Sequence, residues 1–248
     1  MREQRPSPVC AIFCKIVAYF GKKQYLCGTF TNTICMERHQ NPYLNVDAKV
    51  EKTRRGHLPH WHQNGKIQFV TFRLNDSLPA IQLAVLKDER QRFMQLHPQP
   101  WSEHVETAYY QRFEDRMDAF LQAGGGACWL RHPAVRREVE EVLHFYDGLK
   151  YTLYAYVVMP NHVHVLMEMA DGEKCAAVVG DWKSYITRSV NKLRGCRGSL
   201  WQHESFDRLI RSKEDLRRKV YYIRHNGDKL SPDDYSVYVA DFVEPLLS

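Results

Sequence analysis

From Lys66 onward the apolar positions fall into ordered periods. Ile67-Gln68-Phe69-Val70-Thr71-Phe72-Arg73-Leu74 is rich in β-formers and predicts a strand, closed by an Asn75–Pro79 turn. Ala80 to about Leu96 has helical spacing through Leu83, Leu86, Arg90 and Phe93, and Pro98 and Pro100 end it. A second helix is expected over His104–Ala123, with Tyr109, Phe113, Met117 and Phe120 near one face. Gly124-Gly125-Gly126 then breaks the chain; it lacks the Lys-Ser/Thr ending of a P-loop and reads as a turn. Cys128-Trp129-Leu130 reads as extended, and Pro133 lies early in a helix to about Tyr146, where proline is tolerated. Lys150–Met159 predicts a strand with Tyr151, Leu153, Ala155 and Val157 alternating against Thr152, Tyr154, Tyr156 and Val158. His162–Met169 predicts its hairpin partner across a tight Pro160-Asn161 connection. An amphipathic helix follows from Lys174 to about Leu193, then a short strand within Leu200–Arg211. The last strong helix is Lys213–Asn226, with Gly227 placed as a C′ glycine and an irregular tail from Lys229 to Ser248.

Strand, helices, strand, strand, helix, strand, helix is the order of an α+β domain. It predicts a ferredoxin-like, RRM-like palm: an antiparallel sheet with helices on one face. The first fifty residues show no sustained period and hold four of the seven cysteines. We expect residues 1–55 to be a poorly defined extension and linker upstream of the biological start, with Met36 inside it. The domain is expected over 56–230, with an irregular tail at 231–248.

The chain has 248 residues and a formal net charge of +6, which leans weakly toward polyanionic partners. Its seven cysteines are odd in number and form no C-x-x-C, so neither a zinc ribbon nor a disulfide framework is expected. Reduced thiols point to the cytoplasm. The most apolar N-terminal stretch, Val9–Phe20, is broken by Lys15, so neither a membrane span nor a signal peptide is expected.

Candidate chemistry centres on His162 and His164. Side chains two apart in a strand share a face, so both imidazoles lean out together while Val163 turns inward. Neutral imidazole is a common metal ligand. On the last helix Tyr222 and Asn226 are four apart and share a face. Tyr222 is a candidate nucleophile beside a cation, and Asn226 could offer a carbonyl oxygen as a third ligand. Such an N/O set suits Mg²⁺ or Mn²⁺. Tyr221 and Tyr185 compete for the nucleophile's role, and ordinary packing remains open for all three tyrosines.

Val158-Met159-Pro160-Asn161-His162-Val163-His164-Val165-Leu166 resembles the HUH motif of the single-tyrosine transposases of small insertion sequences, above all their REP-associated (RAYT) branch. Other stretches agree in order: Phe69–Leu74 with Ser77-Leu78-Pro79, Trp182-Lys183-Ser184-Tyr185, Leu200-Trp201-Gln202 with Phe206-Asp207-Arg208 and Ile210-Arg211, and Tyr221–Asn226. The resemblance covers roughly Gly56 to Leu230. One departure is Gly227, where the family usually continues Asn-Pro.

The resemblance implies that His162, His164 and Asn226 hold Mg²⁺ or Mn²⁺ and that Tyr222 attacks a phosphate of single-stranded DNA. A 5′-phosphotyrosine link and strand rejoining would follow at hairpins such as REP-like palindromes. Insertion-sequence relatives share sites across a homodimer, whereas the REP-associated branch can act as a monomer. Lys183, Arg188, Lys192, Arg194, Arg197, Arg208 and Arg211 are candidate phosphate contacts, and Trp201 a stacking surface for an unpaired base. Each also has an ordinary solvated or packing reading. Two other functions stay open: a catalytically silent single-strand-binding module, and a metal phosphodiesterase using water.

Overall fold

Strand β3 (Ile67–Arg73) and strand β5 (His162–Met169) form the centre of the sheet, and every residue of both is buried. The computed structural model describes residues 41–248 apart from 46, 49, 56, 57, 99 and 100. With β4 (Tyr151–Val158), β6 (Phe206–Leu209) and β7 (Ser236–Val239) they make a sheet ordered β6-β3-β5-β4-β7, antiparallel throughout. The first four in that order are the 4-1-3-2 arrangement of a ferredoxin-like βαββαβ unit, as expected. Its crossovers carry helices α1 (Ala80–Leu96), α2 (Glu103–Gln122), α3 (Pro133–Phe145) and α4 (Cys175–Arg194).

Burial on both faces explains the near-continuous apolar composition of the central strands. On one face Val70 and Phe72 of β3, Leu74 just after it, and Val163, Val165 and Met167 of β5 pack against Val139 of α3 and Trp182 and Ile186 of α4. These two helices share a face, as the pattern predicts. The opposite face carries Ile67, Phe69 and Leu166, covered by Leu216, Val220 and Ile223 of α5 (Lys213–His225). Sequence order alone does not announce this second layer, because α5 follows the completed βαββαβ unit.

Several local expectations change. The alternation in β4 slips at a bulge between Leu153 and Ala155. Tyr156 and Val158 therefore join Tyr151 and Leu153 on the α3/α4 face, while Tyr154, Ala155 and Val157 face α5. An extra residue in one strand reverses the pleat after it. Trp129–Arg131 is a turn of 3-10 helix rather than extended, entered through Cys128 at φ 50°. The polar stretch expected as a linker pairs as a hairpin, β1 (Glu51–Arg55) with β2 (Leu58–His62). The tail is not irregular: β7 pairs with β4 and α6 (Val243–Leu247) follows.

Residues 1–40, with Cys10, Cys14, Cys27 and Cys35, lie outside the described residues. Cys128, Cys175 and Cys196 are free thiols. Among the described residues no helix is long and apolar enough to cross a membrane.

Gly227 does not take the left-handed conformation of a C′ glycine. Its lack of a side chain lets the Tyr235 ring close on the backbone, where a Cβ would overlap the ring. Gly227→Ala is therefore expected to destabilise the fold by about 1–3 kcal/mol through overpacking. Urea unfolding measures it, and an unchanged midpoint would refute the role assigned to this contact.

Candidate active site

His162 opens β5 directly after the Pro160-Asn161 connection, and strand alternation sets His162 and His164 on the same face. Their ring centroids lie 4.7 Å apart. Val163 between them enters the opposite core.

Asn161 decides which nitrogen of His162 carries the proton. Its Nδ2 donates to the carbonyls of Leu121 and Gly125, both at 3.1 Å. Its Oδ1 therefore remains to accept from His162 Nδ1 at 2.7 Å. The lone pair is left on His162 Nε2, which is buried and has no hydrogen-bond partner. The triple glycine makes this possible. A Cβ on Gly125 would come within 2.7 Å of the Ser77 carbonyl oxygen, and Gly126 sits at φ +86° against the Asp76 carbonyl. The turn is thus a close backbone crossing that presents the Gly125 carbonyl to Asn161.

His164 is fully buried, with Nδ1 2.7 Å from Thr71 Oγ1 and Nε2 3.0 Å from the Tyr222 hydroxyl. Thr71 reaches it because the two residues are directly opposite in the β3–β5 ladder. Phe69 stacks on the His164 ring at 5.3 Å and meets the Tyr222 ring edge-on at 6.1 Å. Burial pushes His162 down to about 3. Burial, then His162 and Lys219, hold His164 well below the ordinary histidine range. Both rings are therefore neutral at physiological pH, the form that ligates metals.

Tyr222 arrives on α5, whose first turn is capped by Ser212 Oγ accepting from the Asp215 amide at 3.2 Å. A buried ion cluster seats the helix. Arg208 of β6 makes a bidentate pair with Asp215 of α5 at 2.9 and 2.6 Å, and its Nε lies 3.3 Å from Glu114 of α2. Lys219 of α5 pairs with the same Glu114. Burial would raise Asp215, but its hydrogen bonds to Arg208 outweigh this and hold it below the ordinary carboxylate range.

Asp118, one helical turn beyond Glu114, has its Oδ1 3.9 Å from His164 Nε2. Burial first, then Glu114, push its carboxyl up to about 7. Burial and the Asp118 carboxylate together hold the Tyr222 phenol far above the ordinary tyrosine range. Asn226 lies one turn after Tyr222, its amide buried beside the phenol and its Oδ1 without a hydrogen bond among the described residues.

His162, His164, Tyr222 and Asn226 thus gather in one chain. Tyr221 is 66% exposed, with its ring on His225 at 4.2 Å, and Tyr185 packs in the core on the other face of the sheet. Trp201 is buried, edge-on against Phe72 at 4.9 Å. The Lys183 ammonium donates to the carbonyls of Gln202, His203 and Glu204 at 3.0, 3.2 and 3.3 Å. Arg208 is committed to the ion cluster. The Arg194 guanidinium lies 3.6 Å over the Trp129 ring, and Arg211 donates to Thr107 Oγ1 at 2.6 Å. Arg188, Lys192 and Arg197 are exposed on α4 and the loop after it. Sequence reasoning missed Thr71, Asp118, Glu114 and Lys219. Only Asn161 had a visible signal, its place between Pro160 and the histidines.

The residues present fit a divalent cation. Two neutral imidazoles, one with an orphaned Nε2, stand with an amide whose oxygen has no partner, a mixed N/O set. Among the described residues no group of three or more His, Cys, Asp and Glu side chains gathers to hold a metal.

Residues 129–226 match the family described as "Transposase IS200 like". This segment is similar to the IS200-like transposases. The match contains both histidines, Tyr222 and Asn226, whereas Thr71, Glu114 and Asp118 lie outside it. No curated protein matches the chain. A solved structure of the REP-associated tyrosine transposase bound to a REP hairpin is similar at 17% identity and a TM-score of 0.38, covering 77% of this chain and 94% of that one.

Asn161→Ala leaves two carbonyls and His162 Nδ1 without their partner. Unpaired buried polar groups are costly, so a loss of about 2–3 kcal/mol is expected in urea unfolding. A loss below about 0.5 kcal/mol would show that the amide does not anchor His162.

Proposed function

We propose that this chain cuts and rejoins single-stranded DNA beside hairpin structures of the REP-like kind, through a 5′-phosphotyrosine on Tyr222. The observation that carries this reading is the 3.0 Å approach of the Tyr222 hydroxyl to His164 Nε2 within a single chain. A nucleophile must stand within hydrogen-bond reach of the groups that activate it. One chain brings both halves together, which supports action as a monomer. The choice of hairpins rests on the motif resemblance.

His162 Nε2, His164 Nε2 and Asn226 Oδ1 would hold Mg²⁺ or Mn²⁺, which when bound polarises the scissile phosphate and stabilises charge on its oxygens. Asn161 and Thr71 fix the two imidazoles behind that set. Tyr222 gives its proton toward Asp118, whose own proton affinity is raised, and its oxygen attacks phosphorus. A phosphorus–tyrosine bond forms as the bond to the 3′ oxygen breaks, releasing a 3′-hydroxyl. Attack by another 3′-hydroxyl reverses the step and frees Tyr222. One phosphodiester is exchanged for another, so no nucleotide cofactor is required. The protein would act in the cytoplasm, with Arg188, Lys192 and Arg197 as remaining exposed phosphate contacts.

Hairpin-bearing single-stranded DNA incubated with Mn²⁺ should yield a covalent adduct on a denaturing gel. Tyr222→Phe should abolish it, while Tyr221→Phe and Tyr185→Phe retain it. His164→Ala should reduce it by about a hundredfold or more, as removal of a group stabilising transition-state charge does. Cleavage without an adduct would instead establish a water-using phosphodiesterase, and binding without cleavage a silent module. An adduct surviving in Tyr222→Phe would overturn the assignment.

A further inference from the structure

Lys183 lies on α4, the helix that covers the sheet face opposite His162 and His164. An ammonium has three protons to give, and the carbonyls of Gln202, His203 and Glu204 accept them at 3.0, 3.2 and 3.3 Å. Burial first, then the Arg73 guanidinium, push this ammonium down to about 8, with the Glu204 carboxylate opposing them. It therefore stays charged at neutral pH. Its protons are committed to the protein's own backbone rather than to a DNA phosphate, the role that the motif resemblance implies for it.

The stretch that Lys183 holds is thinly packed. Gln202, His203 and Glu204 each line two cavities, one toward α1 and the other along α4. Its two ends are tied to β3. The Gln202 amide donates to the Arg73 carbonyl at 2.9 Å, and Phe206 stands opposite Thr71 in the β3–β6 ladder. The same short piece of β3 orients both imidazoles from the other side. Thr71 Oγ1 meets His164 Nδ1, and the Leu74 amide donates at 2.9 Å to the carbonyl of Asn161, whose side chain fixes His162.

The Arg73 carbonyl and the Leu74 amide belong to one peptide group. That group accepts from Gln202 on one side and donates to Asn161 on the other, so each bond polarises the next. We propose that Lys183 is a positioning residue for the histidine pair: its ammonium holds residues 202–204, and these hold the Arg73–Leu74 peptide against Asn161 and His162. The charge acts across the margin of the sheet, from the face opposite the reacting groups. Its effect on the chemistry rests on the DNA reading above, whereas the run of hydrogen bonds is measurable without DNA.

Lys183→Met keeps an apolar stem and removes every donated proton. Amide exchange read by mass spectrometry should then rise about tenfold or more in the peptides carrying Leu74 and Gln202, while peptides from α3 keep theirs. Anisotropy with labelled hairpin DNA in EDTA should give the wild-type affinity and salt slope. With Mn²⁺, the maximal rate of adduct formation at saturating DNA should fall about tenfold or more. The half-saturating DNA concentration should hold, and Lys183→Arg should restore the rate. Unchanged exchange at Leu74 and Gln202, or a salt slope lowered by about one as for a lost phosphate contact, would overturn the positioning role. A wild type that binds no hairpin DNA would overturn the DNA reading alone, because the exchange result stands without DNA.

Discussion

The seating of α5 on the sheet is the constraint from which the rest of the site follows. No local period brings Tyr222 to the histidine pair, because His164 lies 58 residues earlier in the chain. The apolar side of α5, through Leu216, Val220 and Ile223, supplies adhesion but little register, because apolar contact is non-directional. Register comes from the bidentate Arg208–Asp215 pair and from Glu114, which meets both Arg208 and Lys219. Removing one partner of such a buried group leaves an uncompensated charge, at a cost of about 3–5 kcal/mol. One cluster thereby ties α2, β6 and α5 into a single geometry, and the Tyr222 hydroxyl falls 3.0 Å from His164 as a result.

Burial gives that geometry its chemical character. Both imidazoles are drawn out of water, which keeps them neutral, and their outer nitrogens are anchored by Asn161 and Thr71. The same burial raises the proton affinity of Tyr222 and Asp118. An apolar surround stabilises every neutral form at once. The lone pair of His162 Nε2 is left without a partner and that of His164 Nε2 meets the Tyr222 hydroxyl, and a cation bound there would reverse the penalty on the phenolate.

The α1–α2 hairpin links these two themes. It lies outside the residues matched to the IS200-like transposases, yet Glu114 anchors the tyrosine helix and Asp118 touches the tyrosine. The glycine turn at its end supplies the carbonyl that orients Asn161. The hairpin between β3 and α3 is thus part of the scaffold that positions Tyr222 and the two histidines.

The sequence by itself determined the period-two strands, the helices and their order, and hence the ferredoxin-like palm. It also determined that His162 and His164 share a face, because alternation along eight residues of strand is a local property. The Tyr222–Asn226 pairing on one helix face was legible for the same reason. The bulge that reverses β4 after Leu153 was not, because the unpaired residue is set by the register of a neighbouring strand. Nor was the addition of β7, whose short Ser236–Val239 segment becomes a strand only against the free edge of β4. Gly227 looked like a helix stop and proved to be a place of close approach to Tyr235. Which tyrosine meets the histidines, and that Asp118 and Thr71 stand beside them, only the tertiary structure decided. Such contacts join residues dozens of positions apart, and no local period encodes them.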